Sequence, residues 1–355
     1  MPTDEMPDSL SRREFLRQTL LSAAGLAAMG WLDLCLRTPA ARAVPLDDEW
    51  QPPADDLVEA EAVSKSPVAL LRTRRLFTRT GRNRDVALEM LDLGMCHVMG
   101  VTDPMDGWAQ IATPDDVVAI KVNCQAVPRI GTHPTIVDAV VQRLLDVGVV
   151  PENVIIYERK TGQLKAGGFT IRRGRQGVQC YGTDDVYRGP YSYGEFRGDV
   201  SYIVTDLATV IINMPLIKHH ANAGVTLSLK NHYGSISNPF DHHLNGCNPY
   251  IAHLNMIAPL RTKQRLIVCD GSQACFNGGP RCEQENLWRP SRLLISQDPV
   301  ALDTLGWLII DNKRAKMGLP RLEMIGRTPR YLATAAALGL GTNNVTRMRI
   351  LNEDL

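Results

Sequence analysis

Between Val210 and Gly234 the chain reads VIINMPLIKHHANAGVTLSLKNHYG, an apolar run that gives way to Lys218, His219, His220, Thr226, Ser228, Lys230, Asn231 and His232. Of the chain's 8 histidines, five (His219, His220, His232, His242 and His243) fall between positions 219 and 243. Imidazole titrates near neutral pH and ligates metals, and lysine neutralises anions. The segment therefore carries groups for acid–base catalysis, for metal binding or for holding an anionic ligand. Adjacent histidines point to different sides of a strand or helix, so at most one of His219 and His220 faces a given ligand, and the same holds for His242 and His243. Imidazole and carboxylate together suit several divalent ions, which makes His219, His242 and Asp270 a candidate metal set.

These residues need elements to position them. Val117–Ile120 is a continuous apolar run, residues 135–147 have helical periodicity, and Val154–Tyr157 is a second apolar run, which together predict a βαβ unit with a parallel sheet. Pro134 marks the first helical position behind His133 or Thr132 as cap, and the helix's free amide groups offer a place for an anion beside His133. Further strands are expected at Val68–Leu71, Val210–Ile212, Leu266–Cys269 and Leu293–Ile295. Helices are expected from Val86 to about Cys96, over Tyr250–Leu260, after Asp298 to about Ile310, and over Arg330–Leu338. The predicted fold is α/β, a mostly parallel sheet with flanking helices, interrupted by an irregular Gly-, Arg- and Tyr-rich excursion around 161–199 and followed by a tail over 343–355. Polar residues repeatedly follow the strands: Lys121 and Asn123, Glu158, Asn213 and Lys218, Asp270, and Asp298. Ligands in open α/β sheets bind outside the carboxyl ends of the strands, so these segments are expected to share a crevice. Local roles compete with that reading, since Asp298 also suits a helix cap and Asp270 with Gly271 a turn.

Net charge is +1 with 44% apolar and 22% charged residues, which excludes a disordered chain and gives no global field for nucleic acid or an anionic membrane. Arg72, Arg74, Arg75, Arg79, Arg82 and Arg84 form a local basic run, but with only Phe77 interleaved it reads as a solvated face. Arg12 and Arg13 before Glu14, Phe15 and Leu16, an apolar run from Thr19 to Trp31, and Ala41-Arg42-Ala43 follow the order of a twin-arginine signal over residues 1–43. The expected partner is therefore the twin-arginine translocase and the destination the periplasm, with a proline-rich linker over 44–66 and no stable membrane anchor in the mature form. Seven cysteines follow the leader without any CxxC pair. Cys269, Cys275 and Cys282 accordingly read as buried thiols or one disulfide ahead of an iron–sulfur site.

The segments VVAIKVN with THPT, INMPLIKHH, GVTLSLKNHYGSI, LIVCDG, the GGP turn and SQDPVALDT, in this order from about residue 66 to 342, resemble the domain of unknown function 362 family. The resemblance implies an α/β domain over 67–342 and makes Lys121, Asn123, Lys218, His220, Lys230, Asn231, Asp270, Asp298 and Asp303 the family's recurrent positions. It implies no reaction, and the cysteine spacing of relatives with ferredoxin-type modules is missing here. The expected function is an exported enzyme that binds a divalent metal ion or a small anionic molecule. Lys121, Lys230 and His220 would be catalytic, Asn123, His133, Lys218, Asn231 and Asp298 ligand-binding, and His219, His242 and Asp270 metal-binding. The rivals are a noncatalytic cofactor carrier or maturation factor for an exported redox enzyme, and an iron–sulfur electron carrier.

Overall fold

The computed structural model describes residues 65–78, 81–174 and 176–355. The expected leader, residues 44–64 of the expected linker, and Arg79 of the basic run lie outside them. The first half contains β1 (Ser66–Arg72), α1 (Arg84–Met99), α2 (Pro104–Ile111), β2 (Val118–Lys121), α3 (Pro134–Asp146), β3 (Val154–Glu158), α4 (Thr161–Ala166), β4 (Gln179–Gly182), β5 (Tyr187–Tyr193) and β6 (Phe196–Ser201). Next come β7 (Val210–Asn213), β8 (Leu216–His220), β9 (Gly224–Thr226), α5 (Ser228–Asn231), α6 (Tyr250–Met256) and α7 (Ala258–Arg261). The chain closes with β10 (Gln264–Cys275), β11 (Leu287–Trp288), β12 (Arg292–Ser296), α8 (Pro299–Lys316), α9 (Tyr331–Ala337) and β13 (Met348–Asp354).

An 11-stranded sheet in the order β13-β1-β12-β10-β7-β2-β3-β4 forms the centre, with β8, β9 and β11 branching from the β10 region. Neighbours from β10 to β4 are parallel, whereas β12 is antiparallel to both β10 and β1. Alternate strand residues feed two cores. Ala119, Ile155, Ile211 and Ile267 pack on one face with α8, and Val118, Ile120, Ile156, Ile212 and Val268 on the other with α1, α2 and α3. Each fully buried Ile or Val contributes roughly 1.5–3 kcal/mol, so the continuous apolar runs of β2, β3 and β7 commit these strands to the middle of a three-layer α/β fold. Among the described residues no helix is long and apolar enough to cross a membrane.

Three expectations are corrected. The 161–199 excursion holds α4, the parallel edge strand β4 and a separate β5–β6 hairpin; β5 is largely exposed, so its apolar periodicity is weak. The expected tail contains β13, which pairs in parallel with β1 over seven residues and is polar because it is a sheet edge. Asp270 and Gly271 are interior to the long strand β10, not a turn. After Met214 and Pro215 the chain resumes as β8, so Lys218, His219 and His220 sit on a strand.

Lys121 at the end of β2 lies in register with Tyr157 of β3 on one side and Asn213 of β7 on the other. The chain leaves β2 toward β3 and returns to the opposite side as β7, which makes this the switch point where an open α/β sheet splays to form a crevice. Asp298, placed among the ligand residues by sequence, is structural: Oδ1 accepts from the Val300 and Ala301 amides, and Oδ2 from the Ser66 hydroxyl and the Thr342 amide. Asp298→Ala is expected to lower stability by about 1–3 kcal/mol in urea unfolding without changing small-anion binding. Unchanged stability would return Asp298 to the ligand role.

Candidate functional site

The site begins with a buried ion pair. Lys121 is 0% exposed, and its Nζ donates to Glu158 Oε1 at 2.9 Å and to the Val122 carbonyl. Glu158 also accepts from the Arg159 amide through Oε1 and the Cys124 amide through Oε2. One carboxylate at the end of β3 thus neutralises Lys121 and holds the turn that follows β2. Gly234 passes directly over the pair, and a Cβ there would lie 2.5 Å from Glu158 Oε1 and 2.6 Å from Lys121 Nζ.

Two further buried amines have no carboxylate partner among the described residues. Lys218 of β8, 1% exposed, donates to Asn123 Oδ1 at 3.0 Å. Asn123 Nδ2 donates to Asn231 Oδ1, and Asn231 Nδ2 to Asn213 Oδ1, so an amide chain anchors this lysine to the sheet. Lys230 of α5, 4% exposed, lies 3.2 Å from His243 Nε2 and 3.7 Å above the Tyr233 ring. His243 Nδ1 is 2.7 Å from the Pro239 carbonyl, which requires a proton on Nδ1 and leaves Nε2 as acceptor for Lys230. Burial pulls Lys218 down to about 8 even with Glu158 nearby, and burial with the Lys218 charge brings Lys230 to about 7. His243 falls to about 4 through burial and then the Lys230 charge. His220 Nδ1 accepts from the Asn222 and Ala223 amides, so its proton sits on Nε2; burial and Lys230 hold it neutral.

These groups line a cleft of about 130 Å³ with Thr226, Tyr233, Pro239 and Phe240. Of the sequence-predicted residues it gathers Lys121, Asn123, Lys218, His220, Lys230 and Asn231. Asp303 of α8 works beneath it, accepting from the Ser228 amide and hydroxyl and the Leu229 amide, which fixes the start of α5.

The expected metal set does not assemble, and among the described residues no group of three or more His, Cys, Asp and Glu is placed to hold a metal ion. His219 Nδ1 accepts from the Gly279 amide, His242 packs against Phe196, Tyr233 and Tyr250, and Asp270 accepts from the His133 and Ser272 amides. The anion expected beside His133 is therefore the protein's own Asp270, and the His133 side chain caps α3 through the Thr135 amide. The cysteines follow the reading preferred from the sequence over an iron–sulfur site: Cys275 and Cys282 form a disulfide, and Cys269 is a buried free thiol.

Sequence reasoning assigned no role in the site to Glu158, Arg159, Thr226, Tyr233, Phe240 or His243. Glu158 had a signal, as the polar residue closing an apolar strand. Tyr233 had none and His243 only its residue type, because α5 and the turn at Pro239–His242 bring them to the cleft through tertiary packing.

The architecture is that of an α/β protein with a ligand-sized cleft at the carboxyl ends of its parallel strands. The chain belongs to the family described as Domain of unknown function (DUF362), whose model matches residues 118–307, more than half of the chain. No curated protein matches it. Among solved structures, a Thermotoga maritima protein determined by the Northeast Structural Genomics Consortium is similar at 11% identity and a TM-score of 0.39, over 64% of this chain and 59% of that one. This chain thus spans less than two thirds of that protein's length.

Gly234→Ala is expected to push the Lys121 and Glu158 side-chain ends apart and cost about 1–3 kcal/mol, the scale for overpacking a filled core. Urea unfolding of the full chain measures it, and a loss under about 1 kcal/mol would show that the backbone over the pair can yield.

Proposed function

We propose that the cleft binds a small anion and that the protein is an enzyme acting on it. A surplus of donors carries this reading. Among the described residues Lys218 and Lys230 each have one hydrogen-bond partner and no carboxylate, and the Thr226 hydroxyl is buried without a partner. His220 Nε2 carries a proton for which no acceptor is present among the described residues. An ammonium has no lone pair and repels cations, so when charged these amines favour an anion over a metal ion. About 130 Å³ is small beside the ~300–1,000 Å³ of drug-sized pockets, so the ligand has few heavy atoms. Lys121, expected to neutralise substrate charge, is already matched by Glu158, and that role passes to Lys218.

The pH dependence follows from the two amines. Their folded pKa values, about 8 and about 7, lie below the ordinary 10.5. Between about pH 7 and 10.5 the folded protein binds fewer protons than the unfolded one, so the ligand-free protein gains stability as pH rises and is penalised most below about pH 7. An anion reverses that preference by stabilising the charged amines. Sulfate, whose charge is constant here, is expected to bind best below about pH 7 and to lose roughly tenfold or more in affinity by about pH 9. Lys218→Met is expected to cost a further tenfold or so at the low-pH end. Calorimetric titration at constant ionic strength measures both; pH-independent binding, or an unaltered Lys218→Met variant, would remove the proposal.

Export by the twin-arginine route remains part of this reading. Arg12, Arg13 and Ala41–Ala43 support it, as does the Cys275–Cys282 disulfide, a feature that persists in oxidising compartments. Amino-terminal sequencing of the periplasmic protein should begin at Val44, and uncleaved protein confined to the cytoplasm would contradict export.

A further inference from the structure

Resting on the anion-binding reading, we infer that Lys230 is a nucleophilic amine that condenses with a small 2-oxo acid to form an imine. The amine is buried on one wall of the cleft, is not neutralised by any carboxylate among the described residues, and has an imidazole lone pair 3.2 Å away at His243 Nε2. Lys218 supplies a second amine on the same cleft, and the unpartnered Thr226 hydroxyl a further donor. A carbonyl adjacent to a carboxylate joins an electrophile and an anion within very few atoms, which suits so small a space. A simple aldehyde would leave Lys218 and Thr226 unanswered, and an inorganic anion gives Lys230 nothing to attack.

The chemistry balances without a cofactor. The Lys230 Nζ lone pair forms a C–N bond to the carbonyl carbon as the C=O π pair moves to oxygen. One amine proton passes through His243 Nε2 to that oxygen, giving a carbinolamine. The C–O bond then breaks, the second amine proton leaves with the oxygen, and imine and one water result. His243 suits the relay because its Nδ1–H is engaged by Pro239, which keeps Nε2 free to accept. The two amines are placed differently: Lys230 faces the His243 lone pair that can take its proton, and burial brings it to about 7, so near neutral pH much of it is the free base, while Lys218 is held by the Asn123 oxygen, an acceptor that favours its charged form. The Tyr233 ring face favours the ammonium form and moderates this division.

Trapping with borohydride tests the inference. The folded full-length protein is incubated with pyruvate or glyoxylate, reduced, and mapped by peptide mass spectrometry. The expected result is one adduct per chain, on Lys230, at least about tenfold above any surface lysine and suppressed by excess oxalate. Lys230→Arg should abolish the adduct. Adducts spread over surface lysines, an adduct at Lys230 indifferent to oxalate, or one unchanged by Lys218→Met would overturn it. The oxalate comparison uses unaltered protein and so does not depend on a variant folding. Sulfate binding measured on the same preparation separates the two claims: binding without an adduct discards the imine and keeps the anion site, whereas no binding discards both.

Discussion

The Lys121–Glu158 pair is the constraint from which the site follows. Two charges at the ends of adjacent parallel strands are taken out of water, and the expense is met because Glu158 accepts from Lys121 and from two backbone amides. Breaking such a pair by removing one partner is far more costly than the pair's net contribution to stability. It also consumes the one carboxylate that lines the cleft among the described residues. Lys218 and Lys230 are then left with an amide oxygen and an imidazole, partners that accept a hydrogen bond without cancelling charge.

Those two amines are tolerated because the surrounding polar groups are organised elsewhere. Asn123, Asn231 and Asn213 pass hydrogen bonds inward from Lys218, and Asn213 continues to Gln264 and the Ser228 carbonyl. Asp303 fixes the first amides of α5, the short helix that carries both Lys230 and Asn231. The loop closed by Cys275 and Cys282 contributes Pro280 to the cleft wall and receives His219 through the Gly279 amide. Several residues that looked chemical in the sequence are thus positioning residues, and their hydrogen bonds let a few donors remain unsatisfied.

Much of the fold was legible because buried parallel strands are written as continuous apolar runs. Val117–Ile120, residues 135–147 and Val154–Tyr157 identify β2, α3 and β3, and Pro134 and Asp298 mark where α3 and α8 begin. What was hidden lacked that signature. β8 carries Lys218, His219 and His220 in a strand whose five residues are all buried, so polar residue types concealed a core position. β13 and the β5–β6 hairpin are edge or solvent-facing elements whose composition resembles that of loops. Within the site, the strand-end rule located Lys121, Asn123 and Glu158, while Lys230 with His243 depended on packing between segments that sequence spacing does not relate.

The fate of the histidines and of Asp270 shows why residue type alone points the wrong way here. Each Asp270 oxygen accepts a backbone amide, and one of those amides, at His133, is the helix terminus where an external anion was expected. Filling that position with an internal carboxylate removes both a metal ligand and a competing anion site in one step. His219, His220 and His133 each turn Nδ1 to a backbone amide, so their imidazoles brace loops and a helix start. With those groups committed, the unmatched chemistry at the strand ends belongs to amines and a hydroxyl. On the proposed reading the cleft would be selective by subtraction: an anion would complete Lys218 and Thr226, and an electrophile would remain for Lys230.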